Sequence, residues 1–327
     1  MVLLELFSGI GGFSKGLQAA GYSFEKVYFS EIEKNAIANF KYNFPYAEHI
    51  GSVTEIGTAE IGHPDIITFG SPCQNFSSVG DGSGLRGEAS SLVRYAVEAV
   101  GRFRPDVFIW ENVKGVFFAK HRSDFWSIIK AFADIGGYRL EWQLFNTAWF
   151  LPQNRERIYL VGRVADRCTG DVFPFPAPGG GNHPCRKDMV HSHTCGTITR
   201  NYYKQPNFGN YLINLQPGET FDGQPNEEQK SRIRMLTEVE CERLQGFPDD
   251  FTRYGIINGE VREISRANRY AMLGNAVSVP VVRAVAERIR NSTVLNDEIF
   301  NVYEKDDRNI VYCYIHACRY DMCNRLF

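Results

Sequence analysis

The sequence predicts an α/β fold: a doubly wound, mostly parallel sheet with a smaller, irregular, mainly β domain attached. Three observations carry this expectation. Apolar strand-like runs alternate with helical periodicity from Val2 to Val161, the pattern of a parallel sheet covered by helices on both faces. A glycine-rich turn, Phe7-Ser8-Gly9-Ile10-Gly11-Gly12, separates the first strand from the first helix. The alternation breaks at Phe173-Pro174-Phe175-Pro176-Ala177-Pro178-Gly179-Gly180-Gly181, a composition typical of a boundary.

In chain order, Val2 to Phe7 reads as a buried strand, and a helix runs from about Gly12 to Ala20, stopped by Gly21. A strand near Phe24 to Ser30 ends at Glu31, and a helix continues through Asn35, Ala38 and Tyr42 until Pro45. Asp65 to Gly70 and Val107 to Trp110 read as strands, with a helix from Ser91 to Phe103 between them. A helix from about Phe125 to Ile135 closes at Gly136-Gly137, before strands at Arg139 to Phe145 and Ile158 to Val161. Short β-like runs follow at Thr197-Ile198-Thr199 and Tyr211-Leu212-Ile213, then an amphipathic helix over Val279 to Ile289. The composition divides the chain near 178, with a second domain expected at 179–265 and a tail, 296–327, of unassigned role.

Of the 327 residues, 43% are hydrophobic and 23% charged, the balance of a globular domain. No apolar run approaches the roughly 20 residues that cross a bilayer, and Val2-Leu3-Leu4-Glu5-Leu6 is no basic leader; a cytoplasmic protein with no membrane partner is expected. Eight cysteines in such a chain suggest reduced thiols. Neither Cys185, His191, His193 and Cys195 nor Cys313, His316, Cys318 and Cys323 has the paired spacing of a zinc module, so no metal is expected. Net charge is only −2, yet Arg155, Arg157, Arg163 and Arg167 cluster, and Arg200, Lys204, Lys230, Arg232 and Arg234 continue them. A basic cleft of this kind suits nucleic acid; solvated surface charge is the other reading.

In an open parallel sheet, ligands bind beyond the carboxyl ends of the strands, and every chemical motif here falls at such an end. The glycine turn lets backbone approach a ligand, with the N–H groups of a helix start behind it. Glu31, about 20 positions downstream, suits ribose hydroxyls, or simply begins a helix as a surface acid. This spacing fits a dinucleotide or an adenosylmethionine-type ligand equally. Gly70-Ser71-Pro72-Cys73-Gln74 places a thiol where a strand opens into a loop; a lone cysteine is more often an inert filler, but a thiol is intrinsically a strong nucleophile. Glu111-Asn112-Val113 closes the next strand.

These motifs, followed by Gln153-Asn154-Arg155-Glu156-Arg157, Glu240-Cys241-Glu242-Arg243-Leu244-Gln245-Gly246-Phe247-Pro248-Asp249 and Gly274-Asn275-Ala276-Val277, resemble in order and rough spacing those of the DNA (cytosine-5) methyltransferases. The resemblance spans residues 1 to about 290, with 164–235 as its variable part. It implies an adenosylmethionine-dependent methyltransferase fold, a catalytic and cofactor-binding domain at 1–178 and 266–295, and a target-recognition domain at 179–265. The implied chemistry is methyl transfer from S-adenosyl-L-methionine, leaving S-adenosyl-L-homocysteine, to carbon 5 of a flipped-out cytosine through a Cys73 adduct at carbon 6. Glu111 would protonate ring nitrogen 3, and Arg157, supported by Arg155, would hold the cytosine carbonyl oxygen. The cofactor residues implied are Phe7, Ser8, Gly9, Ile10, Gly11, Gly12, Glu31, Ile32, Val53, Pro72, Leu92, Asn275 and Val277, so the last helix is expected to fold back onto the first domain. Gln74, Ser77, Arg200, Asn201, Tyr202 and Lys204 would contact DNA, and the loop from Asn75 to Arg86 would act as a lid or serve as an exposed linker. Ser52 departs from the family, which often has an aspartate there for the adenine amino group.

The resemblance further implies double-stranded DNA as partner, a monomeric enzyme associated with the nucleoid, and a prokaryotic or phage modification role, with or without a restriction endonuclease. The alternative is a tRNA cytosine-5 methyltransferase on the same scaffold, against which the absence of a Cys-Phe-Thr signature speaks. A nucleotide-dependent oxidoreductase would leave Cys73, Glu111 and the two arginines without roles, and a silent DNA-binding relative would have no reason to keep them.

Overall fold

The computed structural model describes residues 1–58, 60–71, 92–118, 121–176, 195–204, 211–213, 227–294 and 311–313. Its centre is one twisted sheet. The strands are β1 (Val2–Leu6), β2 (Lys26–Ser30), β3 (Glu48–His49), β4 (Ile66–Gly70), β5 (Val107–Val113), β6 (Tyr138–Asn146) and β7 (Glu156–Val164), joined at the edge by β12 (Val311–Cys313). Their spatial order is β12-β6-β7-β5-β4-β1-β2-β3. All neighbours run parallel except β7, which lies antiparallel between β5 and β6. The expected doubly wound α/β sheet is therefore present, and its buried strands read as apolar runs because helices cover both faces.

Two apolar layers sandwich the sheet. On one face, α1 (Gly12–Ala19) and α2 (Lys34–Asn43) pack on Leu3, Val27, Ile66, Val107, Ile109 and Val161. On the other, α3 (Val93–Phe103) and α4 (Arg122–Asp134) cover Leu4, Leu6, Ile67, Phe69, Phe108, Trp110 and Leu160. The alternation of these residues along each strand is the two-residue period of the pleat.

Beyond β7 come β8 (Tyr211–Ile213), α5 (Glu227–Ser231), β9 (Ile233–Met235), α6 (Glu238–Gln245), the hairpin β10 (Tyr254–Ile257) with β11 (Glu260–Glu263), α7 (Arg266–Asn275) and α8 (Val279–Ser292). The short run Tyr211-Leu212-Ile213 is a strand, pairing antiparallel with β9. Thr197-Ile198-Thr199 is not. The backbone there is taken by side chains: Ile198 N–H donates to Gln153 Oε1 at 3.0 Å and Ile198 O accepts from Arg155 Nη1 at 3.1 Å. Helix α6, inside the region expected to be irregular and mainly β, starts with a full capping box between Thr237 and Glu240. Leu236, Cys241, Phe247, Phe251 and Ile264 share the apolar cluster of α1 and α2.

The expected return of the last helix is observed. α8 lies along α1: the position a Cβ would take on Gly16 falls on Val282 Cγ1, and Tyr22 Oη donates to Ala286 O at 3.1 Å. At the other end of α8 a buried ion cluster holds the helix to the sheet. Arg163 on β7 pairs with Glu141 on β6, both fully buried, and donates to Ser292 O at 2.6 Å. The second Glu141 oxygen accepts from Val172 N at 2.9 Å and Phe173 N at 3.1 Å. Among the described residues no helix is long and apolar enough to cross a membrane.

Removing one partner of a buried pair strands the other charge. Arg163→Met is therefore expected to lower unfolding stability by about 3–5 kcal/mol, read by urea denaturation. A change below about 1 kcal/mol would mean that Glu141 does not rely on this guanidinium.

Candidate active site

The turn after β1 is built for close approach. Phe7, Gly9 and Gly11 all have positive φ (52°, 55° and 83°), a conformation that only glycine adopts without strain. A Cβ on Gly11 would lie 2.5 Å from the Phe44 ring, and one on Gly12 2.6 Å from Val277 Cγ2, so both glycines are required by packing. Gly9 differs: a Cβ there would meet nothing within 4 Å. Ser8 beside it carries a buried hydroxyl with no hydrogen-bond partner among the described residues.

Glu31, just past β2, closes this turn. Its Oε2 accepts from Gly9 N at 2.8 Å, while Oε1 accepts from Ile32 N at 2.7 Å and Glu33 N at 3.0 Å. A carboxylate accepts about four hydrogen bonds, so capacity remains for a hydroxyl. Ile32 next to it is 70% exposed, an apolar lip on a polar rim. Val53 is buried with Leu4 and Leu6 at the start of a 3-10 turn, and partly buried Leu92 sits immediately before α3. Ser52 Oγ accepts from Thr54 N at 3.2 Å and so caps that turn. Among the described residues, open space above Gly9, a Ser8 hydroxyl without a hydrogen-bond partner and a carboxylate with spare acceptor capacity fit a polar, nucleoside-bearing ligand.

Val277 bridges this turn to the end of β4, with one methyl over Gly12 and the other 3.9 Å from a Cβ position on Gly70. Asn275 is exposed at the end of α7. The carbonyls beside it are clamped by Arg155, whose Nη2 donates to Ala276 O at 2.8 Å and Gly274 O at 3.3 Å. Arg155 thus cradles backbone beside Arg157, the residue it was expected to support. Glycine is needed at 274 because the backbone of Thr199 and Arg200 passes where its Cβ would be. Gln153, fully buried, completes the node by donating to Leu244 O at 2.8 Å. The sequence drew attention to its motif but not to this role.

Glu111 stands on β5 opposite Gly70 of β4 and Tyr159 of β7. It is 8% exposed, and a Cβ on Gly70 would lie 3.4 Å from its Oε2. Arg157 Nε approaches Glu111 Oε1 at 3.2 Å. Burial pushes the Glu111 carboxyl above its ordinary range, against the opposing pull of Arg157 and then Arg155. A raised pKa favours the protonated carboxyl, the form in which such a group can act as a hydrogen-bond donor and general acid. Asn112 and Trp110, on either side of it, both bond to Ser71. Pro72, Cys73, Gln74, Ser77 and the loop 75–86 lie outside the described residues, as do Cys185, His191, His193, His316, Cys318 and Cys323.

The basic cluster of the sequence is largely spent internally. Arg155 caps carbonyls, Arg157 faces Glu111, Arg163 is buried on Glu141 and Arg167 pairs with Asp106. Lys230, Arg232 and Arg234 meet Glu227, Glu228 and Glu240. The partners are acids brought close by the fold, which linear charge runs do not reveal. Arg200 is exposed and contacts Glu33 at 3.1 Å, and Asn201 and Lys204 are exposed. Tyr202, expected to face DNA, is instead 4% exposed, with its hydroxyl accepting from Leu236 N at 2.9 Å and its ring against Tyr270. Among the described residues no three metal-ligating side chains gather.

Glu5, on β1 beneath the glycine turn, is a further buried acid. Its Oε2 accepts from Ser14 N at 3.0 Å and from the Ser14 hydroxyl, and burial raises its pKa from 4.5 to about 7. The neutral form therefore stabilises the fold fully below pH 4.5, and this contribution is lost as pH rises through 7. Glu5→Gln, titrated by urea unfolding at several pH values, is expected to gain about 3 kcal/mol relative to the unsubstituted chain between those limits. Parallel curves would rule the effect out.

Residues 1–178 and 179–291 match the family model for C-5 cytosine-specific DNA methylase. The chain is similar to a type II methyltransferase of Neisseria lactamica, 31% identical over 88% of this chain and 96% of that one. A type II methyltransferase of Bacillus sp. is 29% identical over 89% and 98%. Among solved structures, the Entamoeba histolytica methyltransferase EhMeth superposes with a TM-score of 0.67 at 17% identity, covering 89% of this chain and 98% of that one. At that identity the likeness concerns the fold.

Proposed function

Because the chain belongs to the C-5 cytosine-specific DNA methylase family, we propose that it methylates carbon 5 of cytosine within a specific sequence of double-stranded DNA, using S-adenosylmethionine. The observation that carries this reading is the buried Glu111 carboxyl, held by Arg157 and paired across the ladder with Gly70, three positions before Cys73.

S-adenosylmethionine, when bound, supplies an electrophilic methyl group. Phe7 to Gly12, Glu31, Ile32, Val53, Leu92, Asn275 and Val277 are the residues that would hold it, together with Pro72. Glu31 offers its remaining lone pair to a hydroxyl, Ser8 its unpaired hydroxyl, and Ile32 an apolar surface.

Carbon 5 of cytosine is a poor nucleophile. Addition of the Cys73 thiolate to carbon 6 makes carbon 5 part of an enamine, and one difficult displacement becomes several easier steps. Glu111 delivers its proton to ring nitrogen 3 as that charge develops, and Arg157 holds the carboxyl in place while offering N–H groups to the base. After carbon 5 is methylated, loss of its proton and expulsion of Cys73 restore the aromatic ring. The base has to leave the helix to reach this site, at a cost of a few kcal/mol, offset by contacts from Gln74, Ser77, Arg200, Asn201 and Lys204. In this reading residues 179–265 choose the target, on a catalytic body formed by 1–178 and 266–295. The relatives are named type II methyltransferases, which supports a role in restriction-modification; a partner nuclease, a monomeric state and action in the cytoplasm at the nucleoid belong to the same proposal.

Expression in a host followed by bisulfite sequencing tests this. One recurring sequence is expected to resist conversion, Cys73→Ser to abolish the protection, and Glu111→Gln to slow it by about 10²–10⁴-fold. Full protection by Cys73→Ser would refute the covalent route, and methyl incorporation into tRNA but not duplex DNA would overturn the substrate.

A further inference from the structure

The two neighbours of Glu111 grip a single oxygen. Trp110 Nε1 donates to Ser71 Oγ at 2.9 Å, and Asn112 Nδ2 donates to the same atom at 3.1 Å. Asn112 Oδ1 accepts from Val113 N at 2.7 Å, which fixes which end of the amide faces Ser71. All three side chains are buried. Because strand residues alternate between faces, Trp110 and Asn112 lie on the side of β5 opposite Glu111 and straddle it.

This bond set takes over where the ladder stops. The pairing of β4 with β5 ends at Gly70 opposite Glu111, and Ser71 is the next residue. Past Gly70 the chain is tied to β5 through the Ser71 hydroxyl. We infer that Ser71 is a positioning residue: by accepting from both neighbours of Glu111, it sets where the segment leading to Cys73 leaves the sheet relative to that carboxyl. The inference rests on the methyltransferase reading above. Two residues span at most about 7 Å, so an error at Ser71 passes to Cys73 with little slack. A displacement of about 1 Å between reacting groups costs up to about 10²-fold in rate.

The test measures covalent trapping by duplex DNA carrying 5-fluorocytosine at the target, with saturating S-adenosylmethionine. The Cys73 sulfur bonds to carbon 6, nitrogen 3 takes a proton, and carbon 5 gains the methyl as S-adenosylhomocysteine leaves. Fluorine at carbon 5 then blocks elimination, so the adduct persists and its rate of formation is read directly.

Ser71→Ala is expected to slow trapping by about 30–100-fold, with the dissociation constants for cofactor and DNA within about twofold. Ser71→Thr, which keeps the hydroxyl, is expected to recover most of the rate. Trapping at the unsubstituted rate by Ser71→Ala, or a matching loss of cofactor affinity, overturns the inference. Should Ser71→Ala fail to fold, Trp110→Phe, which keeps the bulk and loses one donor, is expected to slow trapping by about 3–10-fold, and an unchanged rate there overturns it equally. If the unsubstituted protein forms no adduct, the methyltransferase reading falls first and the inference with it.

Discussion

A guanidinium buried among backbone carbonyls holds this protein together at its working end. Arg155 reaches Ile198, Gly274 and Ala276 at once. Carbonyls at the end of α7 carry the negative pole of that helix, and a fixed planar cation suits them. Gln153, two residues earlier, binds Ile198 N and Leu244 O. Side chains at the entry to β7 therefore organise the backbone of three segments distant in sequence. Arg155 satisfies the carbonyls on either side of Asn275 in the interior, next to Val277, which lies on Gly12 of the β1 turn.

The same economy governs the acids and bases. Glu242, fully buried, accepts from Arg269 at 2.9 Å and Thr252 N at 2.8 Å, repeating the Glu141–Arg163 arrangement in another layer. In both pairs opposite charges meet and backbone groups take up remaining hydrogen bonds, the condition under which interior ion pairs are tolerated. Desolvation dominates at Glu5, which has no cationic partner among the described residues, and at Glu111 in spite of Arg157. Both lie on the sheet face that carries α1, one beneath the glycine turn and one beside Gly70.

The sheet was legible because its strands are apolar runs punctuated by glycine, and the site was legible because its motifs are local. Glu31 and Glu111 appear at the strand ends where the sequence placed them, and Val277 lies against the turn as the resemblance implied. What could not be read was decided by partners far along the chain. Arg163 looks like surface charge until Glu141 is brought beside it. Thr197-Ile198-Thr199 has strand composition, but Gln153 and Arg155 take the bonds a neighbouring strand would need. Tyr202 sits in a polar run between Asn201 and Lys204, yet the fold turns it inward onto Tyr270. The antiparallel setting of β7 likewise follows from tertiary pairing, since its apolar pattern is that of any buried strand.

The packing of α1 on α8 has a consequence for biosynthesis. Tyr22 and Ala286 meet across 264 positions, so the first helix emerges from the ribosome long before its permanent cover. Contacts of such sequence separation form late and slow folding. Until α8 arrives, the nascent chain presents an apolar groove along α1, open to chaperones or to premature association. Arrival of α8, rather than of any local element, is the event that completes the packing behind the glycine turn.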